Sequence, residues 1–185
     1  MKIKNTFTGL TNIVDTGRFA FFIDIDENGV NLDVKDLVKQ ASYFSRVVLI
    51  GDEPFTEKEE IRKFIKSVST INPSVKFEIH TKGTIHPLGI GNFNNIIYNV
   101  FVQLKKTGIK YDKRIKNDIL FWFNDMKANF IFNIEDDNDI DEAFSIIADL
   151  SISKSQVFLM SSNESDFVIK QCKYFGYNFT ALLEV

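Results

Sequence analysis

The stretch RVVLIGDEPFTEKEEIRKFIKSV, residues 46–68, decides the fold. Its first five residues form a short apolar run, typical of a strand that is buried on both faces of a parallel sheet. GDEPF at 51–55 follows as a loop, and Thr56 with Glu59 three residues later has the pattern of a helix capping box. The apolar residues behind it recur at helical spacing: Ile61, Phe64, Ile65 and Val68. The stretch therefore predicts a strand, a loop and a helix in direct succession.

The same alternation continues in both directions along the chain. Apolar and β-branched runs predict further strands at 18–25, 75–80, 96–104, 128–135 and 156–161, with a candidate last strand at 178–184. Apolar spacing predicts helices from Asp33, from about Asp112, from a cap at Asp139, and over 164–175 with a stop at Gly176. Repeated strand–helix–strand units imply parallel pairing with right-handed crossovers. We therefore expect a single α/β domain over residues 1–185, either an open sheet or a partial barrel of six to seven strands.

Composition and charge narrow the classes of partner. The chain has 185 residues, 44% hydrophobic and 25% charged, which is typical of a globular domain. A net charge of −3 gives no overall attraction to nucleic acid or to an anionic membrane. The short basic clusters at 105–106 and 110–116 have acidic neighbours, so we interpret them as solvated helix faces. With no signal-peptide pattern and no apolar run of about 20 residues, we expect a soluble, cytoplasmic protein.

A single cysteine, Cys172, limits the chemistry further. One cysteine cannot form an intrachain disulfide, and it cannot by itself build a cysteine-based zinc or iron–sulfur site. Its helical spacing with Val168 and Phe175 predicts a small buried hydrophobe rather than a nucleophile.

The segment DIDENGVNLDVK, residues 24–35, superficially resembles a calcium-binding loop. The twelfth position of such a loop carries a bidentate glutamate, whereas this chain has Lys35 there. Asp33 is better explained as a helix N-cap, and Asn28-Gly29 as a tight turn that accepts positive φ. We therefore expect a turn and no metal site here.

Three loops follow predicted strands, at the sheet edge where parallel α/β proteins bind ligands. They are GDEPF at 51–55, HTKGTIHP at 80–87 and QLKKTG at 103–108. Gly51 and Gly83 would let a ligand approach the backbone closely. The same glycines, and the Glu-Pro pair of the first loop, are equally common in ordinary turns.

The charged side chains of these loops offer some chemistry. Glu53 can accept a hydrogen bond from an amine, and Lys82 and Lys105 can bind an anion, although each also suits a solvated surface. His80 and His86 are weak candidates for metal ligands, because no carboxylate is assured beside them. The sequence has no Ser-His-Asp order, P-loop, GxGxxG or HExxH motif. The loops alone predict only a small-ligand-binding domain.

Five segments, taken together and in order, resemble a known family. They are TGRFAFFI (16–23), VVLIGDEPF (47–55), FEIHTKGTI (77–85), ANFIFNIEDDND (128–139) and QVFLMS (156–161). They are similar to the TGxPAxFIR strand, VxxTGGEPL loop, ETNGT loop, KFVV strand and final VxLMP strand of 7-carboxy-7-deazaguanine synthase. That family belongs to the radical S-adenosylmethionine superfamily, and the likeness covers roughly residues 7–165. It implies the shortened partial parallel β/α barrel of that superfamily, with helices on the outside.

The resemblance also implies that this chain has lost the family's cluster-binding cysteine motif. In the family, the first strand leads into a CxxxCxxC-type motif whose thiolates hold three irons of a [4Fe–4S] cluster, and the fourth iron binds S-adenosylmethionine. This chain has DIDENGVNLD at 24–33 instead, which we interpret as a short hairpin turn that closes the gap. Cys172 alone cannot supply three thiolates. The resemblance therefore implies no cluster and no radical chemistry.

The family's ligand-binding positions are only partly kept. Asp52 stands where the family has the second glycine of GGEP, whereas Glu53 and Pro54 persist. His80 and Lys82 replace the glutamate and asparagine of the ETNGT loop, and only the lysine of the family's SPK remains. The resemblance implies a vestigial cofactor-binding set at the corresponding positions of these loops, in which Asp52 is the substituted member: Gly51, Asp52, Glu53, Pro54, Thr81, Gly83 and Lys105.

We therefore expect a non-catalytic relative of this family, with no catalytic residue, metal or resident cofactor, that acts as a protein-binding, regulatory or structural protein. Its expected partner is another protein, and a homodimer also fits because family members commonly dimerise. Nucleic acid and membrane are not expected partners. The 19 Phe, with many Ile, Asn and Lys, indicate an AT-rich coding genome, such as that of a low-GC bacterium or a phage.

Two alternatives stay open. In one, Gly51, Glu53, Gly83 and Lys105 line a pocket that binds S-adenosylmethionine or a purine- or pterin-like ligand. In the other, Glu53, His80 and Lys82 perform an unrelated reaction in the old pocket.

Overall fold

A computed structural model describes residues 1–13, 16–91, 93–161 and 165–181. Within these ranges the chain forms nine strands: β1 Lys2–Leu10, β2 Phe19–Ile25, β3 Val30–Asn31, β4 Arg46–Gly51, β5 Lys76–Thr81, β6 Ile96–Val102, β7 Asn129–Asn133, β8 Val157–Ser161 and β9 Asn178–Ala181. The same ranges contain six α-helices: α1 Val34–Ala41, α2 Lys58–Ile71, α3 Tyr111–Arg114, α4 Asn117–Asp125, α5 Asp137–Asp149 and α6 Ser165–Phe175. Short 3-10 turns lie at Pro54–Glu57, Lys105–Thr107 and Lys154–Gln156. The chain is a mixed α/β protein with mostly parallel strands.

The chain divides into two compact units, which are described separately. The first comprises residues 1–81 and 85–98, and the second comprises 82–84 and 99–185.

In the first unit, the strand order is β3-β1-β2-β4-β5. β2, β4 and β5 are parallel, as the alternation of strands and helices predicts. β1 is antiparallel to β2 along most of its length and antiparallel to β3 at Lys2 and Ile3. Neither β1 nor β3 is among the strands that the sequence predicts. β1 reads KIKNTFTGL, and most of its side chains are exposed or half-buried, so it carries no apolar run to reveal it.

The two faces of these strands pack differently. On one face, Ala20, Phe22 and Val48 form a cluster against which Phe7 and Ile50 pack. The rings of Phe7 and Phe22 are stacked, with centroids 4.9 Å apart. The apolar stripe of α2 is fully buried, and its Phe64 meets Phe77 of β5 edge to face.

In the second unit, β6, β7, β8 and β9 are parallel neighbours in that order. Phe130 and Phe132 of β7 and Leu120 and Phe123 of α4 are fully buried. Cys172 is buried in α6, as its spacing predicts. Gly176 ends that helix with φ +74°, which confirms the predicted stop. The predicted beginning of this helix at 164 and the strand residues beyond 181 lie outside the described residues.

Several predicted helix boundaries are wrong. Asp33 is the N-cap of α1, as expected, but Thr56 is not a cap, because the 3-10 turn at Pro54–Glu57 precedes α2 and is capped by Glu53. The predicted cap at Asp139 is also wrong: the N-cap of α5 is Asp136, whose carboxylate accepts from Asp139 N at 3.0 Å.

The helix predicted from about Asp112 is interrupted. α3 ends at Arg114 and α4 begins at Asn117, because Ile115, the C-cap of α3, adopts an extended conformation. Within the described residues, no helix is long and apolar enough to cross a membrane.

Candidate functional site

The candidate site is a cleft of about 280 Å³ in the first unit, at the carboxyl ends of β2 and β4. We call it the acidic cleft, and its lining residues are Ile25, Asp26, Glu27, Asn28, Asp52, Glu53 and Thr56. Carboxyl ends of parallel strands are the usual ligand-binding edge of such sheets. Four of the seven lining residues carry carboxylates, so the cleft favours a cationic group.

One wall of the acidic cleft is the turn Asp26–Gly29. The Asp26 carboxylate accepts from Asn28 N at 2.7 Å, and Gly29 N donates to Asp26 O at 2.8 Å. Asp26 N in turn donates to Lys2 O at 3.2 Å. These bonds make an Asx turn that is tied to the beginning of β1.

This turn is not the hairpin that the sequence suggests. β2 and β3 do not pair with each other but lie on opposite sides of β1, so the turn carries the chain across that strand. Gly29 sits where a Cβ would come within 2.6–2.7 Å of the backbone of Ile3. The glycine is therefore required by close approach to β1, and not by the positive φ that we expected.

The second wall is the GDEPF loop. Gly51 has φ +143°, and a Cβ there would lie 2.0 Å from the carbonyl oxygen of Ile25. The contact between β2 and β4 is thus sufficient to require glycine. Pro54 is buried and opens the 3-10 turn, where its missing N–H costs nothing.

Glu53 connects two of the predicted loops. Its Oε1 accepts from the Thr81 hydroxyl at 2.7 Å and from Phe55 N at 3.5 Å. Its carbonyl accepts from the Thr56 hydroxyl at 3.0 Å. Glu53 therefore holds the end of β5 against the loop after β4.

His80 lies beside a buried ion pair. The guanidinium of Arg46 contacts the carboxylate of Glu78, and both side chains are at least 95% buried. His80 Nε2 is 3.7 Å from Glu78 Oε2. Across the described ranges, no group of three or more His, Cys, Asp or Glu side chains is arranged to hold a metal ion.

The remaining predicted residues, Gly83 and Lys105, belong to the second unit. Gly83 has φ +69°, and a Cβ there would lie 2.7 Å from Leu120 and 2.8 Å from Val100. Lys105 N donates to Glu142 Oε2 at 2.6 Å at the beginning of a 3-10 turn. Both positions thus have a packing or hydrogen-bonding role within their own unit.

Lys105 also lines a pocket of about 500 Å³ in this unit, together with Gly108, Ile109, Lys110, Tyr111, Arg114 and Glu142. Arg114 is buried there, and its guanidinium donates to Glu142 Oε1 at 2.5 Å and to the carbonyls of Ile109 and Gln103. These bonds occupy the arginine with structural partners.

The donor set does not fit an iron–sulfur cluster. The turn beside β1 offers only oxygen ligands, whereas cluster irons are held by thiolates. The chain's one cysteine is in α6 of the second unit, where its thiol donates to Asn178 O at 3.4 Å. Burial raises the pKa of the Cys172 thiol to about 11, which disfavours the thiolate.

Sequence reasoning found part of this site. It identified Asp52 and Glu53, which line the acidic cleft, and Gly51, Pro54 and Thr81, which adjoin these residues by sequence or by hydrogen bond. It missed Asp26 and Glu27 as site residues. Their signal is that they follow β2 directly, at the level where Ile25 pairs with Gly51.

A scan against models of known protein families and a search of curated proteins both find no match for this chain. The residues and their geometry therefore carry the functional assignment.

Proposed function

We propose that this chain is a non-catalytic relative of 7-carboxy-7-deazaguanine synthase that binds another protein through its acidic cleft. In this proposal, the alternating strands and helices correspond to a shortened partial barrel of the radical S-adenosylmethionine type. Five sequence segments in family order and a mixed, mostly parallel α/β architecture support the assignment.

The turn Asp26–Gly29 is the observation that carries the proposal. In this proposal it corresponds to the family's cluster loop, and it is closed by hydrogen bonds to its own residues and to Lys2 O. Gly29 lies too close to the Ile3 backbone for even a Cβ. A loop held this tightly against β1 offers oxygen donors to a partner and no thiolate to an iron.

The chemistry of the acidic cleft suggests the partner. Asp26, Glu27, Asp52 and Glu53 bring negative charge to one edge of the sheet, although the whole chain carries only −3. A lysine- or arginine-rich segment of another protein complements such a surface, and salt should weaken the contact.

A defined basic peptide tests this proposal directly. Its affinity for the wild type is measured by fluorescence anisotropy at two salt concentrations, beside an acidic peptide of equal length. The double variant Glu27→Gln, Asp52→Asn should weaken binding of the basic peptide about tenfold, because two exposed charge pairs at about 0.7 kcal/mol each together contribute about 1.4 kcal/mol. Asp149→Asn removes an exposed carboxylate of the second unit and serves as the matched control. Equal binding of both peptides, or equal losses in both variants, would count against the proposal.

A small-ligand alternative remains because Glu53 and Thr81 keep their mutual hydrogen bond. In that alternative, Glu53 receives the amine of S-adenosylmethionine or an N–H of a purine-like ring. Calorimetry with these compounds separates the two functions: a saturable signal that Glu53→Gln abolishes favours the small ligand, and silence at millimolar concentration favours the protein partner.

A further inference from the structure

A second pocket lies in the first unit, at the amino ends of β2, β4 and β5. The acidic cleft lies at the opposite, carboxyl ends of β2 and β4. The volume of the second pocket is about 220 Å³, and its lining residues are Arg18, Ser45, Arg46, Ser74 and Lys76. We call it the basic pocket. This volume is below the about 300–1,000 Å³ that is typical of sites for drug-sized ligands, so the pocket suits a small ion.

Strand register brings the cations together. Arg46 of β4 pairs with Lys76 of β5, so their side chains leave the same face of adjacent parallel strands. Arg18 directly precedes β2, the neighbour of β4 on the other side. The beginnings of three neighbouring strands, β2, β4 and β5, therefore bring one cation each to the same site.

The base of the basic pocket is held rigidly. Arg46 is buried and contacts the buried carboxylate of Glu78. Lys76 N donates to Ser45 O at 3.0 Å, which joins the beginnings of β4 and β5. Ser74 Oγ donates to Asn72 Oδ1 at 2.7 Å, so its proton is already used.

The rim of the basic pocket, by contrast, offers hydrogen-bond donors to a ligand. The side chains of Arg18 and Lys76 are exposed and have no carboxylate partner in the part of the chain that the structure describes. Within those residues the Ser45 hydroxyl, which is also exposed, makes no hydrogen bond to the protein. An ammonium, a guanidinium and a hydroxyl are the usual donors to a tetrahedral oxyanion.

We propose that the basic pocket binds a phosphate dianion, either inorganic phosphate or the phosphate of a monoester. Arg18, Arg46 and Lys76 carry three positive charges, and Glu78 neutralises one, so the local charge of +2 matches a dianion. A ligand with a single carboxylate carries only one negative charge, so it matches this local charge less well. A nucleic-acid strand needs a longer basic track than three cations in one concavity. This inference does not depend on the proposed function, because it concerns the other end of the strands.

Titration with inorganic phosphate, followed by calorimetry and ³¹P NMR at constant ionic strength, tests the inference. The wild type should bind phosphate saturably, and Lys76→Ala and Arg18→Gln should each weaken binding about tenfold through loss of one charge-assisted contact. Lys66→Ala, which removes an exposed lysine of α2, should leave binding unchanged. Arg46 is kept intact because its removal would take away the guanidinium that contacts the buried carboxylate of Glu78. Absence of saturable binding, or equal loss in all three variants, would overturn the inference.

A second titration distinguishes the source of the phosphate. Phenyl phosphate, whose second pKa is about 6 like other monoesters, should bind more tightly as the pH rises through that value. Binding of the ester as tight as that of inorganic phosphate, or tighter, supports recognition of a phosphorylated molecule. Binding of inorganic phosphate alone supports an ion site. An affinity that does not change with pH for either compound would contradict recognition of a dianion.

Discussion

Replacement of Gly51 by alanine should destabilise the first unit strongly, because two separate penalties fall on one residue. The backbone there has φ +143°, a conformation that costs a residue with a side chain about 1–3 kcal/mol. The new Cβ would also lie 2.0 Å from the Ile25 carbonyl oxygen, and moving β4 away from β2 adds an overpacking cost of about 1–3 kcal/mol. We expect a total loss of about 4 kcal/mol, a large part of a free energy of unfolding of about 5–15 kcal/mol.

Urea unfolding followed by far-UV circular dichroism measures this loss. With an m value of about 2 kcal/mol/M, the midpoint should fall by about 2 M. Gly17→Ala is the matched control, because Gly17 also has positive φ (+82°) but no atom of the described residues lies within 4 Å of the added Cβ, so the substitution should cost only about 1–2 kcal/mol. If Gly51→Ala costs no more than the control and impairs only ligand binding, then this glycine serves a ligand and not the packing of β4 against β2.

Three further predictions concern buried groups. Glu78→Gln leaves Arg46 charged and buried, so we expect a loss of about 3–5 kcal/mol in urea unfolding, and a loss below about 1 kcal/mol would contradict the buried pair. Burial raises the pKa of Tyr98 above the usual 10.0, so its contribution to stability is complete below pH 10 and declines as the pH rises further. Tyr98→Phe should therefore reduce the alkaline loss of stability, and identical alkaline slopes would refute this. Burial also raises the pKa of the Cys172 thiol, so a thiol reagent at neutral pH should react slowly with the native protein and rapidly in urea. Equal rates in both conditions would show an accessible thiol.

The parallel strands could be predicted because their signal is local and strong. Val47, Val48 and Leu49 of β4 are fully buried, and such runs are continuous in the sequence. β1 could not be predicted in this way, because its polar residues interrupt any apolar run. Its pairing with β2 depends on contacts between residues that are distant in sequence. β-propensity without an apolar pattern is a weak signal.

The sequence predicts the presence of α2 and α5 correctly but places their N-caps wrongly, because several neighbouring residues can cap each helix. Thr56 has the right spacing to Glu59 for a capping box, but Pro54 begins a 3-10 turn first, and Glu53 caps it. The sequence likewise predicts the cap of α5 at Asp139, but Asp136 is the N-cap, because its carboxylate accepts a hydrogen bond from Asp139 N.

The candidate site shows the same division between local and long-range information. The GDEPF loop can be identified as a site from the apolar strand that precedes it in the sequence. Asp26 and Glu27 line the same cleft only because β2 pairs in register with β4, and the sequence does not show this pairing. Both Gly51 and Gly29 look like turn glycines in the sequence. Their requirement for glycine comes from a neighbouring strand's backbone, which no single-sequence pattern records.

The central claim is that the turn Asp26–Gly29 has replaced a cluster loop. Anaerobic reconstitution of the protein with iron and sulfide, followed by iron analysis and absorption spectroscopy, tests it most directly. Because the chain has one cysteine and that cysteine is buried in α6, we predict no stoichiometric iron and no charge-transfer band. Stoichiometric iron with such a band would contradict the claim, and with it the assignment of this chain as a non-catalytic relative.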